Sequence, residues 1–196
     1  DQPCIRQCRG PQRHELRRFH DVAASTKTRG EGIGFAGVGI KLGLLVAGEV
    51  LTETRRGKTH VATRWHLSSR QRAPWRWVEP AGLVGERGTA VQLQLRNALS
   101  PLLDPGFVEA VLRRHYRPLF DPRFAAMLAA HYAHAVHVHV NDRALDHEEP
   151  DGDEVAPLEI RLLRKRKPSV IGYLSRQRMP LPEEQRGVAV STLGKV

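Results

Sequence analysis

Cysteine is nearly absent from the 196 residues: Cys4 and Cys8 are the only two. With no second pair they support neither a disulfide framework nor a four-ligand zinc site. A reducing cytoplasm is therefore the expected compartment. The N-terminus lacks the apolar core of a signal peptide. The longest apolar stretch, Ile33 to Leu51, approaches membrane-span length, but Lys41, Glu49 and five glycines interrupt it. It reads as a glycine loop followed by a helix, and no membrane partner is expected. There are no internal repeats. Ser25 and Ser191 have no positioned base, which excludes a readable Ser-His-Asp arrangement. Acids are in deficit, 21 against 31 Lys plus Arg, for a net charge of +10. Such a balance favours an anionic partner: nucleotide, nucleic acid or an acidic surface. It does not choose among them, and any single basic patch serves equally well as solvated surface. A hydrophobic share of 40% allows a core in one domain or two small ones.

What the chain does have is a concentration of glycine. In Gly32-Ile33-Gly34-Phe35-Ala36-Gly37-Val38-Gly39-Ile40-Lys41, four glycines fall within eight positions and a lysine closes the run. Glycine allows close backbone approach. Successive backbone N–H groups leading into a helix can cradle phosphate. Nucleotide binding is the first function this run points to.

Around it the pattern is mixed. Residues 1–11 read as irregular. His14 to Ser25 reads as a short helix with Leu16, Phe19, Val22 and Ala23 on one face, and Ile40 to Ala47 as another. Val50 to Arg55 and His60 to Leu67 flank the turn Arg56-Gly57-Lys58, a hairpin pattern. Trp75 to Val78 and Ala90 to Leu95 read as further strands. Asp104-Pro105 opens a helix through about Tyr116, and Asp121-Pro122 a second through about Tyr132. Val136, Val138 and Val140 alternate with His137 and His139 as a strand. Asp146 to Glu154 is an acidic loop. Leu158 to Leu163 and Val188 to Ser191 read as strands. The fold class is α+β, in two units, 1–97 and 98–196. Both ends read as cut, with no core strand ahead of the first helix and no closing element after the last strand.

Glycine loop, helix, strands and a Gly-Thr strand, in that order, resemble the GHKL ATPases: gyrase, heat-shock-90 chaperones, histidine kinases and MutL. Ile33 to Gly39 is similar to the superfamily's second glycine box, in the chaperone form. Phe19 to Lys27 resembles its lid segment, and Arg87-Gly88-Thr89-Ala90-Val91-Gln92-Leu93 its Arg-Gly-Thr strand. Val138-His139-Val140-Asn141-Asp142-Arg143 looks like the Val-Asn-Gly-Arg hairpin of MutL's ribosomal-S5-like transducer. The resemblance implies a partial Bergerat-type α/β sandwich over 1–97, then linking helices and a partial transducer over 98–196. It implies ATP with Mg2+ as cofactor, lid closure relayed to the transducer, and a homodimer through the ATP-binding domain. Its cofactor-binding positions fall on Gly10, Lys27, Gly32, Gly34, Phe35, Ala36, Gly37, Val38 and Gly39, of which Gly34, Gly37 and Gly39 would place N–H groups on phosphate. Lys41 is a charge partner whose role the family pattern does not fix. Thr89 would hydrogen-bond near adenine through water. The family's first glycine box, Asp-x-Gly-x-Gly, falls on Arg6-Gln7-Cys8-Arg9-Gly10, where Gly10 matches, Arg6 stands for the aspartate and Cys8 for a glycine. An arginine has no acceptor for the adenine amine. The hydrolytic Glu-x-x-x-Asn does not occur before residue 15. No catalytic or metal-ligating residue is therefore assigned, and weak or absent ATPase activity is expected of these 196 residues alone.

Other features carry rival readings. His131, His134, His137 and His139, with Asp142 and His147, have the composition of a metal cluster, but a polar sheet face beside valines is preferred. Arg161, Arg164, Lys165, Arg166 and Lys167 form the densest basic run. It tracks a nucleic-acid backbone, supplies a cation to ATP, or is a solvated edge. Lys27 and Arg29 either touch phosphate or are solvated. Trp65, Trp75 and Trp77 lie among Arg64, Arg70, Arg72 and Arg76, an interleaving that suits single strands, although core tryptophans are the preferred reading. Asp21 beside His20 reads as helix-surface charge. The alternative function is a basic nucleic-acid-binding or interaction protein that keeps the fold without using nucleotide.

Overall fold

A computed structural model of the chain describes residues 4–7, 13–21, 39–69, 72–132, 134, 136–147, 154–162, 168–176, 178–180, 183 and 186–195. The fold is α+β, in two compact units, 1–108 and 109–196.

In the first unit, five strands among the described residues form one antiparallel sheet. They are β1 (Cys4–Gln7), β2 (Ala47–Arg56), β3 (Thr59–Trp65), β4 (Trp75–Val78) and β5 (Gly88–Leu95), in the order β1-β5-β2-β3-β4. β2 is central and pairs with both β3 and β5, setting Val50 opposite Trp65 and Leu93, and Thr52 opposite Thr63 and Val91. Residues facing one another across a ladder share a sheet face. Val50, Trp65 and Val91 therefore line one face, and with Leu44 and Ala47 they form the buried core. Helix α1 (Arg13–Phe19) covers that face, burying Leu16 and part of Phe19. Its amphipathic pattern is the expected one; Val22 and Ala23, expected on the same face, lie outside the described residues.

The segment after the glycine run is shorter as a helix than its composition suggests. A 3₁₀ turn (Gly39–Leu42) and one turn of helix α2 (Gly43–Val46) give way to strand at Ala47. The ladder from Ala47 to Leu95 competes successfully with helix continuation. The β2–β3 turn is the two-residue loop Gly57-Lys58, with Gly57 at φ +56°. Glycine at that position matches the turn's twist to that of the flanking strands. Residues 1–11 contain β1, which runs antiparallel to β5 with Gln7 opposite Thr89. A strand thus precedes the first helix, against the sequence expectation. A four-residue strand with one strongly apolar residue, Ile5, becomes regular only through its partner.

At the end of the first unit, Asp104 accepts from the Gly106 N–H at 2.8 Å and caps helix α3 (Pro105–Phe120), which runs on into the second unit. The helix continues beyond Tyr116, but with a kink there (φ −125°, ψ 16°), two residues before Pro118. Pro118 has no N–H to donate and its ring crowds the carbonyl four residues back. The expected second helix is reduced to a 3₁₀ turn (Pro122–Phe124) and helix α4 (Ala125–Leu128), with buried Asp121 accepting from the Arg123 N–H. Strand β6 (His139–Val140) pairs with β7 (Arg143–Ala144) through Asn141-Asp142, both at positive φ (47° and 64°). Those angles are the type I′ hairpin geometry. The valine alternation from Val136 yields only these two ladder residues, plus a Leu145 N–H to Val138 carbonyl bond. Strand β8 (Glu154–Ile160) pairs with β9 (Val170–Arg176). The strand expected at Val188 to Ser191 is irregular chain. Among the described residues, no helix is long and apolar enough to cross a membrane.

Candidate functional site

The helix-covered face of the first unit's sheet carries hydroxyls where apolar residues would be ordinary. Thr52, Thr54 and Thr63 are fully buried, and Thr89 is 8% exposed. The register puts all four on one face: Thr54 opposite Thr89, and Thr52 opposite Thr63. The motif residue Thr89 is preceded by Gly88 at φ +140°, a backbone conformation closed to most L side chains. Thr54 Oγ1 lies 3.1 Å from the Gly88 carbonyl and 3.2 Å from Thr89 Oγ1. A hydroxyl has one hydrogen, and a carbonyl can only accept. Thr54 therefore donates to Gly88, and Thr89 donates to Thr54. Thr89 Oγ1 is left with acceptor lone pairs, which suit a donor such as a water or an exocyclic amine.

His20 follows α1 and is buried over the same face. Its Nε2 lies 3.0 Å from Thr63 Oγ1, and its ring stacks on Trp75 at 4.4 Å and 13°. Burial pushes its pKa below the ordinary 6.5, against the opposing pull of the Leu16 and Arg17 backbone and of Asp21, with Lys41 adding to the lowering. Among the described residues, Thr52 Oγ1 and Trp65 Nε1 on this face are buried without a hydrogen-bond partner, and His20 Nδ1 has only poorly directed contacts with the Leu16 and Arg17 backbone. Buried polar groups of this kind cost stability unless a ligand or water completes them.

Of the sequence-predicted residues, the structure describes Gly39, Lys41 and Thr89. Lys41 is half-buried in the 3₁₀ turn that ends the glycine run. Burial lowers its pKa from 10.5, and Asp21 opposes this. Lys41, Asp21 and His20 thus act on one another at the C-terminal end of α1. Gly10, Lys27, Gly32, Gly34, Phe35, Ala36, Gly37 and Val38 lie outside the described residues, as do Arg29, Arg164, Lys165, Arg166 and Lys167. The lid segment is described only over its first residues, Phe19 to Asp21.

The opposite face of the sheet holds Glu53, fully buried. It takes His60 Nε2 at 2.9 Å and the backbone N–H groups of Ala81 at 2.7 Å and Val84 at 3.0 Å. Burial alone would raise its pKa. The hydrogen bonds from His60, Val84, Leu83 and Ala81 outweigh this and hold it below the ordinary 4.5. Glu53 is therefore committed to docking the segment after β4. Among the described residues no group of three His, Cys, Asp or Glu could hold a metal ion. His131, His134, His137 and His139 are exposed, and only His139 sits in a strand.

Thr52, Thr54, Thr63 and His20 were not singled out as site residues from sequence. The signal for the first two was present: Thr52 and Thr54 follow Val50 at a spacing of two, on its face of the strand. His20 gave none, because its role depends on Thr63 and Trp75. No protein-family model matches the chain, and no curated protein matches it.

Proposed function

We propose that the first unit is a nucleotide-binding module of GHKL type, an ATP-binding Bergerat-like sandwich, and that the second contributes part of an S5-like transducer. The observation that carries this reading is the state of Thr89. Its hydrogen is committed to Thr54, its lone pairs are not, and its strand pairs with β1 so that Gln7 lies opposite it. The strand leading toward Gly10 thus adjoins the Gly-Thr strand, the juxtaposition a split nucleotide pocket requires. The orphaned polar atoms over the same face add to it. In the second unit, the Asn141-Asp142 hairpin supports the transducer reading.

In this reading adenine donates its amine, directly or through water, to Thr89. The glycine run from Gly32 to Gly39 offers N–H groups to phosphate, and Lys41 supplies positive charge. Among the described residues no cluster of acids could hold magnesium, and the sheet's buried acid, Glu53, is committed on the other face. Mg2+ enters only as the ion carried by the phosphates.

Titration calorimetry of the full chain with ATP and GTP tests the reading. One saturable ATP site is expected. GTP should bind about tenfold more weakly or worse, because its O6 meets the Thr89 lone pairs as acceptor against acceptor. Thr89→Val should remove that preference. Absence of saturable ATP binding, or equal affinity for both nucleotides, would overturn it.

A further inference from the structure

The preferred sequence reading makes the three tryptophans core residues. Trp65 fits, at 1% exposure. Trp75 and Trp77 do not fit fully. Both are half-buried on β4, at the edge of the sheet, and with Arg13, His14 and Arg17 of α1 they line an open cleft of about 680 Å³. Trp75 is held by the His20 ring on one side and meets Trp77 edge to face at 5.5 Å and 84°. The Arg13 guanidinium sits 4.9 Å from the Trp77 ring centroid. Arg13 and Arg17 are four apart and so share one side of the helix, and both are exposed.

We propose that this cleft binds single-stranded nucleic acid. The chemistry is that of a stacking platform with a cationic rim. An unstacked base has a π-face for Trp75 and Trp77, and the backbone phosphate beside it meets Arg13 and Arg17. A duplex keeps its base faces stacked inside and cannot use the indoles. An acidic peptide would use the arginines and leave the indoles unfilled. The openness of the cleft favours a strand that passes through over a mononucleotide that must be enclosed. The net charge of +10 raises the local concentration of any such strand. The tryptophans are already fixed, Trp75 by His20 and Trp77 by Trp75 and Arg13, so little ordering accompanies binding. Thr89 is on β5 and the two tryptophans on β4, with β2 and β3 between them, and the cleft does not depend on nucleotide binding at Thr89.

The test uses the full chain and fluorescence anisotropy with a labelled oligothymidylate of about 12 nucleotides, and a duplex of the same length as comparison. Single strand should bind more tightly than duplex. The exposed pair R13E/R17E should weaken single-strand binding by about tenfold or more and reduce the salt slope by about 1.4. A pair of equal charge change that does not line the cleft, K58E/R114E, should weaken it less than about threefold. Trp77→Ala should weaken it about tenfold and Trp77→Phe should restore most of it. Unchanged ATP titration in R13E/R17E is expected, since the two sites are separate. Equal affinity for duplex, or an R13E/R17E effect no larger than that of K58E/R114E, would overturn the proposal. R13E/R17E decides the matter if Trp77→Ala does not fold. Competition by free thymidine monophosphate as strong, per nucleotide, as by the oligomer would also overturn it.

Discussion

Thr52 and Thr54 sit two residues apart on the central strand, face the same way and are both fully buried. Thr54 is bonded to Gly88 and Thr89, whereas Thr52 Oγ1 has no hydrogen-bond partner among the described residues. Valine has nearly the shape of threonine without its hydroxyl, so it separates the two situations. Thr54→Val strips a bond from the Gly88 carbonyl and leaves the Thr89 hydroxyl without its acceptor, costing about 1–2 kcal/mol. Thr52→Val removes an unsatisfied buried hydroxyl and should stabilise the chain by about 1 kcal/mol. Urea denaturation of both variants checks the opposite signs. If Thr52→Val is as destabilising as Thr54→Val, Thr52 is not an orphan in the folded chain. A stabilising Thr52→Val that also weakens ATP binding would place that hydroxyl at the ligand.

At the scale of elements, two segments dock onto the sheet with a buried ionisable residue in each contact. Helix α1 does so through His20, in contact with Thr63, Trp65 and Trp75, and the segment after β4 through Glu53. Both pKa values are lowered by folding. For His20 the unfolded chain binds the proton more readily, so stability is highest above pH 6.5 and falls as pH drops below it. For Glu53 the contribution is complete above pH 4.5 and is lost as pH falls through the lower folded value. Stability should therefore fall on acidification in two stages, one beginning below pH 6.5 and a further one below pH 4.5. His20→Phe, which keeps an aromatic ring on Trp75, should flatten the upper step and leave the lower. Denaturation between about pH 7.5 and 5.5 measures this, and an unaltered slope in His20→Phe would assign the step elsewhere. The elements themselves were unevenly legible in the sequence. β4 and β5 follow from alternation and flanking breakers. β1 does not, since Cys4 to Gln7 becomes a strand only against β5, far along the chain. Val136 to Val140 alternates more clearly than β1 yet gives a two-residue strand, because its ladder ends where β7 ends. The site followed the same rule. Thr89 was singled out from a short motif, as a candidate. The hydroxyl face around it is assembled across β2, β3 and β5, and a linear reading meets its residues one at a time.

At the scale of the molecule, a strongly basic chain carries two candidate anion sites on its first unit, one at the Thr89 face and one at the tryptophan cleft. Net charge adds to both and distinguishes neither, so the decisive contrasts are local ones: acceptor lone pairs at Thr89, indole faces at Trp75 and Trp77. The proposed nucleotide seat lies between the glycine run and the Gly-Thr strand. Amide hydrogen exchange of the full chain, with and without saturating ATP, tests it most directly. The expected result is slowed exchange in peptides covering Gly32 to Lys41 and Gly88 to Leu95, with no change in those covering Arg13 to Arg17 or Trp75 to Val78. Unchanged exchange in the first two regions at saturating ATP would contradict it, as would protection confined to the tryptophan cleft.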